Sequence, residues 1–458
     1  MKVAPHSPMI DVQALRVGMF VHLDVGWMSH PFPLSSFRIT SAAQLATIRA
    51  LGLRQVRWSP DQSDRPTAAA DGEATAANDA DGATPAAVAA AADADPPQDA
   101  EDDTVPAAIG VARDAPTLEA AERSATLQRQ QRLEQQREAL VSCRRHYKDA
   151  TRSCRRAVDA VLSRPQEARA EVESLTRSLV DSMAGEQELS IRMLCEDASD
   201  KASMHAVNVA VISLLMGRCF GFAPDEMTDL GVGALLHDIG KIEQPLRMRH
   251  HDDAFSPSEA RVYEEHVELG VVQGRRMGLS PGALTLIAQH HEHADGSGFP
   301  AGLNSDRMSM GARILALVNR YDNLCNPHLP ARAMTPHESL SMLFAQGRSK
   351  FDTSILGAFI RMMGVYPPGS TVQLTDDRYA LVVAVNSSRP LKPTVMVHDA
   401  SVSREDAPLL DLEATALGIR RSVKPQQLPA DALAFLAPHR QVVYFFEPAP
   451  LLEAGDTR

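Results

Sequence analysis

Between Leu235 and Pro300 the chain carries two histidine-centred runs, with His266 between them. They are His237-Asp238-Ile239-Gly240-Lys241 and His290-His291-Glu292-His293-Ala294-Asp295-Gly296-Ser297-Gly298-Phe299-Pro300. Neutral imidazoles are nitrogen donors for transition ions, and one carboxylate can bridge two of them. His205 lies upstream, near the start of the apolar run Ala206 to Phe220, and taken alone it reads as a structural histidine. Five histidines and an aspartate from four helical segments are improbable as independent core residues, so together they read as a metal site. Imidazole-rich donors favour iron, manganese, zinc or a similar ion over magnesium, which prefers oxygen ligands and retained water. Two ions about 3.5–4 Å apart can activate water for in-line attack on phosphorus and stabilise the charge that develops. The reaction class is then phosphoester hydrolysis.

The elements that must position these residues are helices whose ends can be read from their caps. Pro224-Asp225-Glu226 opens the helix that ends at His237-Asp238, with Gly240 as a natural stop. Ser256-Pro257-Ser258-Glu259 and Thr335-Pro336-His337-Glu338 combine a capping hydroxyl, a proline at the first helical position and a glutamate at the third. Ser280-Pro281 starts the helix that delivers His290 and His291. The pattern is helical to about Gly364.

The rest of the chain is a mainly α, multidomain arrangement. Residues 8–58 read as a small mixed α/β domain, with strands at Met19–Leu23 and Gln55–Trp58 and a helix at Ser41–Ala50. Residues 59–116 collapse into Ala, Asp, Pro, Gly and Thr, the composition of a disordered acidic linker. Residues 117–184 form a helical connector with a break at Pro165, and its Arg144-Arg145-His146-Tyr147-Lys148 cluster reads as a solvated face. Residues 185–365 hold the histidines in an all-helical bundle. Residues 366–450 turn to β texture, with strands at Thr371–Leu374, Ala380–Val385, Thr394–His398 and Val442–Phe446, and read as a small β-rich unit without a chemical motif.

Composition narrows the classes further. A length of 458 residues calls for roughly two to four domains. A net charge of -12 argues against binding nucleic acid polymers or anionic membrane surfaces, which need a basic face. Five scattered cysteines without CxxC spacing indicate neither a disulfide framework nor a thiolate zinc site, and fit a reducing cytoplasm. The N-terminus lacks the apolar core of a secretion signal, and no later run approaches about 18 uncharged apolar residues. The expectation is a soluble cytoplasmic protein.

His205, His237-Asp238-Ile239-Gly240-Lys241, and His290-His291-Glu292 followed by Asp295-Gly296-Ser297-Gly298-Phe299-Pro300 resemble an HD-GYP domain over about residues 185–365. This is the branch of the HD phosphohydrolase superfamily associated with cyclic di-GMP hydrolysis. Leu15-Arg16-Val17-Gly18-Met19-Phe20-Val21 and His30-Pro31-Phe32 resemble a small domain of unknown function often found ahead of it.

The resemblance implies two divalent transition ions, iron, manganese or similar, with at least one bound. His205, His237 and Asp238 would hold one; Asp238, His266, His290 and His291 would hold the other. Asp238 and Lys241 would serve catalysis, with Lys241 on substrate phosphate or the leaving oxygen. Gly296 and Gly298 would let the loop backbone approach a ligand or a signalling partner, and Asp322 would join the substrate-binding set. The helical connector suits a homodimer.

Three positions depart from the family pattern. Asn319 replaces an aspartate ligand of the first ion, His328 stands near a usual phosphate-binding arginine, and Phe299 replaces the tyrosine of the motif. Cyclic di-GMP cleaved to pGpG or GMP is the substrate implied, and the departures open the alternative of a degenerate module that binds nucleotide or a partner without turnover.

Overall fold

The computed structural model describes residues 8–24, 36–39, 42–64, 118–185, 188–194, 200–346, 349–386, 389–404, 407, 409–438 and 441–448. The expected acidic linker lies almost wholly outside them, as do His6 and His30.

Near the N-terminus, β1 (Met9–Asp11), β2 (Phe20–His22), β3 (Ser36–Arg38), α1 (Ala42–Ala50) and β4 (Gln55–Ser59) form a four-stranded sheet in the order β1-β4-β2-β3 with one helix. Its side chains, among them Val21, Ile39, Ile48 and Val56, make a hydrophobic cluster of their own. His22 is a structural residue here, bonded through its two ring nitrogens to Ser36 and Ser59.

The remaining helices are α2 (Leu118–Ala160), α3 (Pro165–Ser182), α4 (Lys201–Cys219), α5 (Pro224–Leu236), α6 (Pro257–Glu264), α7 (His266–Met277), α8 (Pro281–Gln289), α9 (Met310–Cys325), α10 (Pro336–Gln346), α11 (Thr353–Met363) and α12 (Ala430–Leu436). The caps behave as their sequences require. Ser256 and Glu259 exchange reciprocal bonds at the start of α6, Thr335 and Glu338 do so at α10, and the Ser280 hydroxyl accepts from the Ala283 amide at α8. Pro165 opens α3, so the proline ends one helix by starting the next.

α4 is apolar almost all round, which is the signature of a helix enclosed by others. Among the described residues it alone is long and apolar enough to cross a membrane, yet 78% of its most apolar window is buried within the fold. It is the central core helix, and α5 and α9 pack on it.

The strands that follow are β6 (Thr371–Leu374), β7 (Tyr379–Asn386), β8 (Thr394–Val397), β9 (Leu409–Asp411), β10 (Ile419–Ser422) and β11 (Val443–Pro448). They do not make a separate unit. The sheet runs β10-β6-β7-β5-β11, where β5 (Leu189–Leu194) comes from the segment just before α4. β5 pairs with β11 from Leu194 opposite Val443 to Leu189 opposite Pro448. Ser190 to Leu194 are all buried, so this strand needs a partner on each edge and cover on each face, and the distant C-terminal segment supplies them.

One hydrophobic core joins the helices to this sheet. The connector joins it too, through Cys143, Tyr147, Ala150 and Cys154 of α2 and Ala168, Val172 and Leu179 of α3. α2 rests directly on β11, where the Cys143 thiol donates to the Phe446 carbonyl at 3.7 Å and the Tyr147 ring meets Phe445 edge-on.

Candidate metal centre

α5 ends at Leu236 and leaves His237 and Asp238 at its C-terminus, followed by a 3-10 turn over Ile239–Glu243. That turn lies hard against the first turn of α7. A Cβ on Gly240 would sit 2.0 Å from the His266 carbonyl oxygen and 2.5 Å from the Gly270 nitrogen. Gly240 therefore does more than stop a helix: it lets the His237-Asp238 turn and the His266 helix touch.

Three of the histidines are oriented by the backbone three residues before them. The Nδ1–H of His237 donates to the Ala234 carbonyl at 2.8 Å, that of His266 to Tyr263 at 2.5 Å, and that of His290 to Ile287 at 2.7 Å. Each bond spans three residues, so each ring is turned by the turn it stands on. With the proton held at Nδ1, Nε2 carries the free lone pair. His205 is set differently: its Nδ1–H donates to Asp322 Oδ2 at 2.6 Å, across 117 residues of chain. His291 is held by its neighbour Phe299, whose ring stacks on it with centroids 4.5 Å apart.

These orientations gather lone pairs. Nε2 of His205 and of His237 are 3.2 Å apart, and those of His266 and His290 are 3.3 Å apart. Two neutral imidazoles that turn lone pairs on each other at that separation repel, and a cation between them makes the arrangement favourable. Asp238 stands between the two pairs. Its Oδ2 faces His237 at 3.5 Å and His205 at 3.9 Å, while its Oδ1 faces His266 at 3.5 Å and His290 at 3.7 Å. Two donor groups result, His205-His237-Asp238 and Asp238-His266-His290-His291, each with its ligand atoms within 4.8 Å of one another. Asp238 Oδ1 and His291 Nε2 are buried without a hydrogen-bond partner, and a buried polar atom without one is costly. Both atoms point to the same missing partner, so the donor set fits divalent ions.

Burial keeps three of these rings in the form that binds metal. Burial pushes His237 down to about 3 and His266 to about 4, and carries His291 well below its ordinary value. Neutral imidazole is the form a metal needs. For His205 burial acts in the same sense, but the Asp322 carboxylate outweighs it and raises the ring. Burial also opposes ionisation of Asp238, yet Lys241 and the surrounding histidines hold its carboxyl well below the usual range. Lys241, with Nζ 2.7 Å from Asp238 Oδ2 and 5.5 Å from the Tyr263 ring centroid, is raised by that carboxylate against its own burial.

Residues 188–355 match the family model of the HD domain. This chain carries an HD domain. Residues 9–172 match a domain of unknown function, DUF3391, a span that reaches beyond the N-terminal sheet through α2 and into α3. A cyclic di-GMP phosphodiesterase of Pseudomonas aeruginosa is 26% identical over 414 residues, covering 87% of each chain. Another, from Borreliella burgdorferi, is 22% identical over 229 residues, covering 49% of this chain and 60% of that one. A solved HDG"Y"P protein of Bdellovibrio bacteriovorus is 19% identical with a TM-score of 0.39, over 47% of this chain and 69% of that one.

Several side chains of the HD domain sit differently from what their sequence positions imply. Asp322, expected to meet substrate, is fully buried: Oδ2 takes the His205 proton and Oδ1 accepts from the side-chain amides of Asn208 and Asn326, both at 2.9 Å. It orients His205 and has no face left for substrate. Gly298, expected to open the loop to a ligand, packs against its own chain, where a Cβ would lie 2.4 Å from the His291 carbonyl oxygen. Gly296 takes a left-handed φ of +78°, the turn the loop needs. Both glycines build the loop.

Asn319 is buried on α9, and its Oδ1 accepts from Asn323 Nδ2 at 2.7 Å. His328 stacks on His250 with ring centroids 3.8 Å apart. Glu292 is a residue that motif reading passed over. Fully buried, its carboxylate accepts the amides of Ala301 at 2.7 Å and Leu303 at 2.8 Å, tying the loop to the end of α8. An acidic residue type directly after the two histidines of the motif is the signal that could have drawn attention to it.

Proposed function

We propose that this chain is a metal-dependent phosphodiesterase that hydrolyses cyclic di-GMP to pGpG or onward to GMP. The observation that carries the chemistry is Asp238, whose two oxygens are divided between two histidine groups while one of them stays buried and unpaired. The substrate follows from the relatives in Pseudomonas aeruginosa and Borreliella burgdorferi, both cyclic di-GMP phosphodiesterases, the first of them alike along nearly the whole chain.

His205, His237 and Asp238 would hold one divalent ion, and Asp238, His266, His290 and His291 the other. Such ions supply charge stabilisation at the phosphoryl group and a strong nucleophile at neutral pH. Lys241 stays protonated beside Asp238 and is a cation fixed at the edge of the centre, suited to a substrate phosphate or the leaving oxygen. Phe299 and Glu292 hold His291 and the following loop in register with the ligands. The free cysteines Cys143, Cys154, Cys219 and Cys325 fit a cytoplasmic setting.

A second reading, nucleotide or partner binding without turnover, is favoured by Asn319. A neutral oxygen already engaged by Asn323 is a weaker ligand than a carboxylate. Purified full-length protein loaded with manganese or iron separates the two. We expect two ions per chain and turnover of cyclic di-GMP, increased in Asn319→Asp. Loaded wild type and Asn319→Asp that both leave cyclic di-GMP intact rule out hydrolysis. Tight nucleotide binding that survives Asp238→Ala without turnover establishes the second reading.

A further inference from the structure

The C-terminal strand reaches the metal centre through side chains that no motif marks. Asp322 Oδ1 accepts from Asn208 Nδ2 and Asn326 Nδ2, and each of these amides is itself fixed by the backbone at the start of β11. Asn208 Nδ2 also donates to the Val442 carbonyl at 2.9 Å, while its Oδ1 accepts the Tyr444 amide at 3.1 Å. Asn326 Nδ2 donates to the same Val442 carbonyl at 2.8 Å, and its Oδ1 accepts the Val442 amide at 2.8 Å. Asn208, Asp322 and Tyr444 are fully buried and Val442 nearly so.

This geometry determines which end of each amide faces Asp322. A backbone N–H can be accepted only by Oδ1, so Val442 and Tyr444 force Oδ1 of the two asparagines toward the strand and leave Nδ2 for the carboxylate. With the strand displaced, either amide is free to turn, and a turned amide presents an oxygen to an ionised carboxylate. Asp322 would then lose donors to Oδ1 while it holds the Nδ1 proton of His205 through Oδ2. An outer-shell carboxylate sets both the ring angle and the basicity of the histidine it touches.

We infer that the β11 backbone, acting through Asn208 and Asn326, is a positioning clamp on Asp322 and hence on His205, so that the C-terminal strand controls ion binding in the His205-His237-Asp238 group alone. The inference rests on the two-ion reading above. A purely structural strap between α4, α9 and β11 would stabilise the fold without acting on one ion more than the other.

The test is a manganese titration of chelator-stripped full-length protein, followed by paramagnetic resonance to count bound ions and detect spin coupling between them. Wild type is expected to bind two coupled ions. Asn326→Ala should weaken the ion of the first group about 10–100-fold, the range seen for outer-shell partners, and leave the second group's ion at wild-type affinity, which also reports an intact fold. Asn326→Ser, which keeps a hydroxyl donor, should fall between the two. In an Asp322→Ala background, Asn326→Ala should have no further effect, because the residue through which it acts is gone. Two ions at wild-type affinity in Asn326→Ala overturn the clamp, as does an equal further loss in the Asp322→Ala background or an equal weakening of both ions. Wild type that binds fewer than two ions overturns the two-ion reading itself, and the clamp with it.

Discussion

The two donor groups of this centre differ in how far along the chain their orientation is decided. In the group of His266, His290 and His291, the Nδ1 bonds and the stack on His291 come from residues 263–300. In the group of His205 and His237, one ring is turned by its own helix and the other by Asp322, which depends in turn on Asn208, Asn326 and Val442. Local anchoring survives changes elsewhere in the molecule. Remote anchoring makes a ligand sensitive to the packing of α4, α9 and the sheet, and it gives distant segments a route to the chemistry.

The largest effect should come from the residue the groups share. Asp238→Ala should release both ions and lower turnover by well over the about 10–100-fold attached to an outer-shell partner, as read by metal content and cyclic di-GMP hydrolysis. A variant that keeps one tightly held ion would break the shared-carboxylate arrangement.

The next contrast separates the groups. His266→Ala should leave one ion in the first group, and His205→Ala should leave one in the second. Equal losses in the two variants would show that the groups act as one.

Glu292→Ala addresses the loop rather than the ions. It removes the side chain that accepts the amides of Ala301 and Leu303, at a cost of roughly 0.5–1.5 kcal/mol for each bond lost. Denaturant unfolding should show the loss.

The pH dependence of the ion-free protein tests the buried rings. His237 and His266 titrate at about 3 and about 4 when folded and near 6.5 when unfolded. The unfolded chain therefore binds more protons between these values, and stability falls as pH drops below about 6.5, by up to about 1.4 kcal/mol per unit for each ring. His205, raised by Asp322, works in the opposite sense. A melting temperature that rises on acidification from pH 6.5 to 4.5 would contradict the burial of these rings in neutral form.

The smallest effect is expected from Phe299→Tyr, which adds a hydroxyl and keeps the stack on His291. Turnover should stay within about twofold, a change of roughly 0.4 kcal/mol in barrier.

Much of the local structure was legible because it is written in short-range chemistry. Ser256, Ser280 and Thr335 cap where their hydroxyls and the following prolines say they must, and Pro165 separates α2 from α3. The ligand types and their order were equally legible, since histidine-aspartate and histidine-histidine pairs have few other uses at that density. Asp322 was misread because a carboxylate three residues after Asn319 looks the same in a sequence whether it faces a pocket or a buried amide. Gly298 was misread because the freedom of glycine does not say which backbone it approaches.

The sequence by itself determined which candidate donors the chain offers and the helix boundaries around them, because both depend on residue type at short spacing; the substrate class came from the family resemblance and the relatives. Only the tertiary structure decided that Asp238 divides its oxygens between two histidine groups, that Asp322 stands behind His205, and that β5 and β11 merge the C-terminal strands with the helices. The contacts that join distant segments here span 28 to more than 200 residues, and no local spacing encodes which buried amide will meet which carboxylate once the core has closed.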